Sequence, residues 1–182
     1  MKGPFASDFA EIPSTLQKND LIRERALQLA GADPIPGKVT EGDARLEAFR
    51  VVLSDLIAGN VTLTEAMHRV AQQLPRDESI HAGNNRVFPQ GWEERLVRTQ
   101  FSRFYNQAIL ELLREEGQAR CFVPHSRAED RDSPCSVGLA GREHDVETLY
   151  ARLTETYRDG QWNQELKIPN HPHCTHVITP AQ

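Results

Sequence analysis

Only three cysteines occur in the 182 residues, and no apolar run approaches the roughly 18 residues that a membrane-spanning helix needs. The opening Met1-Lys2-Gly3-Pro4 has no apolar stretch behind it, so neither a membrane span nor a secretory leader is expected. An odd number of thiols in such a chain argues against a disulfide framework. It points to a reducing compartment, where cysteines are buried, catalytic or metal-bound. Basic residues are also in deficit: 21 Lys and Arg stand against 26 Asp and Glu, a net charge of −5. That balance excludes a protein whose main task is to neutralise phosphates and leaves room only for local basic patches. Glycine and proline, 11 each, are neither scarce nor enriched, which excludes collagen-like and wholly disordered chains. A glycine-rich phosphate loop is missing, because Gly138-Leu139-Ala140-Gly141 has neither the spacing nor the lysine that must follow. There is no internal repeat and no low-complexity segment.

What is present is helical periodicity. Residues 1–13, with Pro4 and Pro13 and no sustained period, read as an extended arm able to dock on a partner. Residues 14–30 carry Leu16, Leu21, Ile22, Ala26, Leu27 and Leu29 at helical spacing, and Gly31 and Pro34 should end that helix. After a linker over 31–42, Leu46, Phe49, Val52, Leu53, Leu56 and Ile57 give a second apolar stripe that stops at Gly59-Asn60. Thr62-Leu63-Thr64-Glu65 has capping-box spacing and starts a helix that Pro75 ends, so these two helices should form an antiparallel hairpin. Residues 75–90 read as a long loop. The longest helix spans 90–116, where Val97, Phe101, Phe104, Tyr105, Ala108, Ile109 and Leu112 share one face. Arg98, Ser102 and Asn106 run at four-residue steps along its margin, as a polar seam. Beyond Gly117 the texture changes to short apolar runs, a polar loop over 127–133 and one more helix with Val146, Leu149, Tyr150, Leu153 and Tyr157. In the tail, 166–168 and 177–179 look like two short strands. The expected fold is mainly α with a small α+β C-terminal module, its amphipathic helices packed around one core. A helical docking region over 1–90 precedes a Cys/His-ended module over 91–182.

All three cysteines lie beyond residue 120, and His171-Pro172-His173-Cys174-Thr175-His176 packs three histidines and one cysteine into six residues. Ligands of that softness and density suggest zinc, which prefers four tetrahedral N or S donors. Cys121, His125, Cys135 and His144 are the distant residues able to close such a site and so staple the tail to the loop before it. The plain alternative is a polar tail with solvated histidines and a small buried Cys174. Two catalytic readings are weaker. A metal-dependent nuclease could use His171 or His173 beside Asn170, but no carboxylate pair is placed to hold Mg²⁺. A cysteine nucleophile paired as Cys121 with His125, or Cys135 with His144, has no local motif behind it. Arg95, Arg98 and Arg103 are interleaved with Trp92, Phe101, Phe104 and Tyr105. This cluster reads either as core on one side with solvated arginine on the other, or as Arg98, Ser102 and Asn106 clamping the 118–176 region or a partner chain.

Three segments, in order, resemble one family. Arg98-Thr99-Gln100, followed by Ser102-Arg103 and Tyr105-Asn106, is similar to the Arg-Thr-Glu helix motif of the phage Mu F-type head-morphogenesis (minor head) proteins. Asp130-Arg131-Asp132-Ser133-Pro134-Cys135 with Leu139-Ala140-Gly141 resembles that family's Asp-rich, Cys-containing turn. The 171–176 segment resembles its closing His-Pro-x-Cys-x-Cys. The resemblance covers residues 90–180 and departs from the pattern in four places. Gln100 stands where Glu is usual, Cys135 is alone where two cysteines are common, its distance to Gly141 is one residue longer than usual, and His176 replaces the last Cys.

The resemblance implies a minor head component rather than an enzyme, incorporated in few copies into a tailed-phage head. Its implied partners are portal, major capsid or scaffolding proteins, with contact to packaged DNA, no membrane and a homo-oligomer around the portal. Its implied location is host cytoplasm during assembly and then the virion head. Carried over by position, Cys135, His171, Cys174 and His176 match the Cys/His positions, with His144 or His173 able to supply the fourth ligand. A zinc-containing nucleic-acid regulator is a further alternative, disfavoured by the net charge.

Overall fold

The computed structural model describes residues 3–181. Helix α5 (Trp92–Glu115) is its axis, with α2 (Asp20–Ala32), α4 (Leu63–Gln73) and α7 (Val146–Tyr157) laid against it. The expected stripe of α5 is buried from Val97 to Leu112, but Ser102, Arg103, Asn106 and Gln107 are buried as well. The helix is covered on all sides, so the polar seam lies inside the protein and its groups must find partners there. The other elements are α1 (Ile12–Lys18), α3 (Asp43–Ala58), α6 (Pro134–Leu139) and three short strands. These are β1 (Arg120–Val123), β2 (Arg142–Asp145) and β3 (Thr179–Pro180), antiparallel in the order β2-β1-β3. The fold is therefore mainly α with a small C-terminal sheet. Its apolar core runs unbroken from Leu16 and Phe49 through Phe104 to Leu153 and Ile178. Among the described residues no helix is long and apolar enough to cross a membrane.

The single helix expected over 14–30 is two. Asn19, at φ −131° and ψ 88°, breaks it, and its carboxamide oxygen accepts from Ile22 N–H at 3.3 Å to start α2. A short amide side chain competes with the helix ladder for backbone partners and here wins. Pro13 opens α1 instead of stopping it, because the first turn needs no proline N–H. The helix also runs through Gly31 and ends at Asp33, the residue before Pro34, whose ring disfavours a helical predecessor.

Residues 3–11 fold back on the chain itself; Met1 and Lys2 of the expected arm lie outside the described residues. Ala6 N–H donates to the Tyr105 hydroxyl at 2.9 Å, and Phe9 N–H donates to the Thr175 carbonyl at 2.9 Å. Phe9 meets Phe101 edge to face at 6.2 Å. The apolar residues of 3–30, part of the expected docking region, are thus mostly buried, with Leu21 remaining 46% exposed.

The α3/α4 hairpin forms with its capping box complete: Glu65 N–H donates to Thr62 Oγ1 at 3.2 Å, and Thr62 N–H donates to Glu65 Oε2 at 2.7 Å. That backbone bond holds the Glu65 carboxyl below its ordinary value. A depressed carboxyl contributes stability above its unfolded pKa and loses it as pH falls through the lower folded value. Carboxyl NMR titration is expected to place Glu65 below its ordinary value, and Thr62→Ala, which removes the hydroxyl donor but keeps the backbone N–H, to raise it only part of the way back.

In the C-terminal module the tail contributes one strand, not two. Thr179 pairs with Phe122, while 166–168 stays irregular, since β2 already occupies the other edge of β1. Strand β2, Arg142-Glu143-His144-Asp145, has no apolar residue to signal it, and mostly solvent-facing side chains explain why it needs none. Helix α6 was expected as a turn. It forms because Ser133 caps it and Pro134 occupies its first turn.

Candidate metal centre

Cys135 enters the site from the first turn of α6, where Ser133 Oγ fixes the chain direction. The tail supplies the rest. Cys174 N–H donates to the His171 carbonyl at 3.0 Å and closes a tight turn that aims both side chains at Cys135. Cys135 Sγ lies 3.4 Å from His171 Nε2, and one ligand atom from each of Cys135, His171 and Cys174 falls within 4.8 Å of the others. His176 adjoins the group, with Nδ1 3.7 Å from Cys174 Sγ. Donors bound at 2.0–2.3 Å to a tetrahedral ion stand about 3.3–3.8 Å apart, so both separations match an edge of such a shell.

The thiol and carboxylate charges suit a cation. Hydrogen bonding from Cys174, with help from His171 and His176, outweighs burial and holds the Cys135 thiol well below its ordinary range; Cys174, which keeps the shared proton, is pushed up. Burial disfavours charge on His176, yet its contacts with Cys135 and Glu129 raise it overall. Its Nε2 is 2.9 Å from Glu129 Oε2 and 3.3 Å from Ser136 Oγ. A carboxylate gripping the outer nitrogen leaves Nδ1 free to face an ion, the arrangement that orients histidine ligands. Glu129, its side chain only 3% exposed, is drawn below its ordinary value by His176 and His125 against the cost of burial. A cavity of about 280 Å³ opens beside the group, bordered by Glu129, Asp130, Ser133 and His173.

The remaining histidines and cysteine stand apart. His144 Nε2 contacts the Leu139 carbonyl at 2.8 Å, which takes it out of the ligand group. His173 is exposed at the cavity rim. Cys121 donates to the His144 carbonyl at 3.6 Å, and burial pushes its thiol up to about 12, the state of an inert core cysteine. His125 pairs with Glu129 at 2.7 Å, not with Cys121. The imidazole beside Cys135 is that of His171, not His144.

The helix-motif residues hold the tail from below. Asn106, fully buried, donates from Nδ2 to the Ser102 carbonyl at 2.7 Å and accepts Ile178 N–H on Oδ1 at 2.8 Å. Arg98 Nε reaches the Pro172 carbonyl at 3.4 Å while its guanidinium covers the Phe9 ring at 4.2 Å. Arg98 and Asn106 thus contact the tail directly, while Ser102 fixes the Asn106 amide. Gln100 accepts from Arg103 Nη1 at 3.2 Å. Thr99 points to a separate surface cleft with Gln100. Arg103 is fully buried and also bonds the Pro34 carbonyl at 2.9 Å, Asp33 Oδ2 at 3.3 Å and Gln107 Oε1 at 3.3 Å. Burial, opposed by Asp33, lowers it to about 10, so it stays charged at neutral pH. Asn106→Leu would keep the volume and strand the Ile178 amide, a loss of about 1–3 kcal/mol. Faster hydrogen exchange at Ile178 is the expected readout.

Glu129 and Ser136, which set the His176 ring, had no signal in the sequence beyond their place near a polar loop. No family model matches the chain, and no curated protein or solved structure matches it.

Proposed function

We propose that this chain is a non-enzymatic interaction protein whose C-terminal module is stapled by one Zn²⁺ on Cys135, His171, Cys174 and His176. We further infer that it serves as a minor structural head component of a tailed phage or prophage. In that role it binds portal, capsid or scaffolding subunits during head assembly or genome delivery, first in the host cytoplasm and then in the head. The observation that carries the reading is convergence. The three segments that resemble the Mu F-type pattern come together: Arg98 reaches Pro172, and Cys135 meets His171 and Cys174, while Asn106 holds Ile178 just beyond the last segment. Two thiols and two imidazoles, one with a carboxylate behind it, suit Zn²⁺ better than the hard cations that phosphoryl chemistry uses. Zinc would tie α6 and the tail together where the loop between them offers little apolar surface.

Quantitative mass spectrometry of purified particles, with empty procapsids beside mature virions, tests the role. A few copies per particle are expected; absence from both overturns it.

A second reading has one observation in its favour. The cavity beside His171 is bordered by Glu129 and Asp130, which could position water at a metal, as in a metal-dependent nuclease. Cleavage of linear or supercoiled DNA with Mg²⁺, Mn²⁺ or Zn²⁺, lost in Glu129→Gln with metal retained, would replace the structural reading with this one. No cleavage is expected.

A further inference from the structure

The chain has two tryptophans, and both line one cleft. The cleft, about 240 Å³, lies between the start of α5, Pro36 and Val39 of the 33–42 segment, and the loop after α7. Trp162 is 68% exposed and is braced edge-on by Tyr157 at 5.5 Å; Trp92 is braced in the same way by Phe88 at 5.2 Å. Perpendicular neighbours hold the indoles in place without stacking over them. An exposed indole held in this way is a costly surface for a protein to keep in water unless something covers it.

The polar groups of the cleft are cationic or neutral. Arg86 and Arg95 line it, both exposed, and among the described residues neither guanidinium has an ion pair or hydrogen bond. This contrasts with Arg25, Arg103 and Arg114, each of which meets a carboxylate. Among the described residues no Asp or Glu lines the cleft, although acids outnumber bases 26 to 21 in the chain. Gln100 has its oxygen engaged by Arg103, leaving its amide NH₂ as the group it can offer the cleft. Two aromatic faces, two unpaired guanidiniums and a neutral hydrogen-bonding edge match a flat base that carries phosphate. An acidic peptide would use the arginines and leave the indoles uncovered. The volume suits one nucleotide unit and is too small for a dinucleotide cofactor.

We propose that this cleft binds a nucleotide unit, its base stacked on Trp162 and Trp92 and its phosphate held between Arg86 and Arg95. The unit can belong to a single strand or be a free mononucleotide. The site is independent of the metal centre and of the head-protein reading.

Because no tryptophan lies elsewhere, tryptophan fluorescence of the full chain, excited beyond the tyrosine band, reports on this cleft alone. Titration with the oligonucleotide dT10 and, separately, with dTMP and dAMP distinguishes the two sources. Saturable quenching by dT10 with at least tenfold weaker mononucleotide binding assigns a strand; equal binding assigns a free nucleotide. In either case Arg86→Ala combined with Arg95→Ala should weaken binding about tenfold or more, with the circular-dichroism spectrum unchanged. Trp162→Phe should retain binding that Trp162→Ala loses. For the strand, log affinity should fall against log salt with a slope near −1.4, the value for about two phosphate contacts on a single strand. The proposal is overturned if neither ligand quenches saturably to 1 mM, if the double arginine variant binds as wild type, or if an oligoglutamate of equal charge binds as well as dT10.

Discussion

Cys174→Ala should abolish metal binding and lower the melting temperature by about 10 °C. Cys174 is buried at the centre of the ligand group, and its thiol touches both Cys135 and His176. A ligand that binds the folded state alone stabilises it by about 4 kcal/mol when present at a thousand times its dissociation constant. In a domain of this length each kcal/mol moves the midpoint by roughly 2–4 °C. Removing a buried sulfur also costs packing, so the shift in the variant does not by itself identify the cause. The wild-type protein treated with a chelator separates the two effects. It should lose most of the same stability, whereas the chelator should leave Cys174→Ala unmoved. Acid should act like the chelator, because the thiols must be deprotonated to hold the ion. A variant with wild-type metal content, or a wild type whose melting is indifferent to the chelator, would refute the assignment.

Arg103→Met should destabilise by about 3–5 kcal/mol, the usual cost of removing one partner from a buried charged network. Its guanidinium is fully buried and serves the Pro34 carbonyl, Asp33, Gln100 and Gln107 together. Methionine fills similar space and offers none of those hydrogen bonds. Asp33, 18% exposed, would keep partial access to water, whereas Gln100 and Gln107 are buried. The cost therefore falls mainly on the amides and on the Pro34 carbonyl, just past the end of α2. Urea denaturation should show a lower midpoint with an unchanged slope. Arg95→Ala on the same helix is the control: it is exposed and unpaired, and the midpoint should scarcely move. Equal midpoints for the two variants would show that the buried arginine does not knit α5 to the end of α2.

These two residues differ in how far the sequence announced them. Cys174 sits in a segment so rich in histidine and cysteine that a metal reading arises from density alone, whereas spacing left Cys121, His125, Cys135 and His144 all open as its distant partner. Arg103 was visible only as part of a basic cluster near a core stripe. Its burial depends on α5 being surrounded, which helical periodicity cannot express, since a stripe defines one face and is silent about what covers the others. The α3/α4 hairpin was legible because capping chemistry and apolar spacing agree locally. The break at Asn19 was not, because the apolar period continues across it and the deciding bonds are to Ile22 and Pro4. The absence of His144 from the ligand group follows from the pairing of β2 with β1 and its contact to Leu139, a tertiary fact in a strand with no apolar residue. Glu129 was illegible for a similar reason. An acid beside Asp130 and Asp132 in a polar loop looks solvated until the loop is folded over His176.

The most direct test of the central claim is zinc K-edge X-ray absorption on the purified chain loaded with one equivalent of Zn²⁺ and freed of excess by gel filtration. Two sulfurs near 2.3 Å and two nitrogens at about 2.0–2.1 Å are the predicted shell. Failure to retain zinc, or a shell of oxygen and nitrogen without sulfur, would contradict the account.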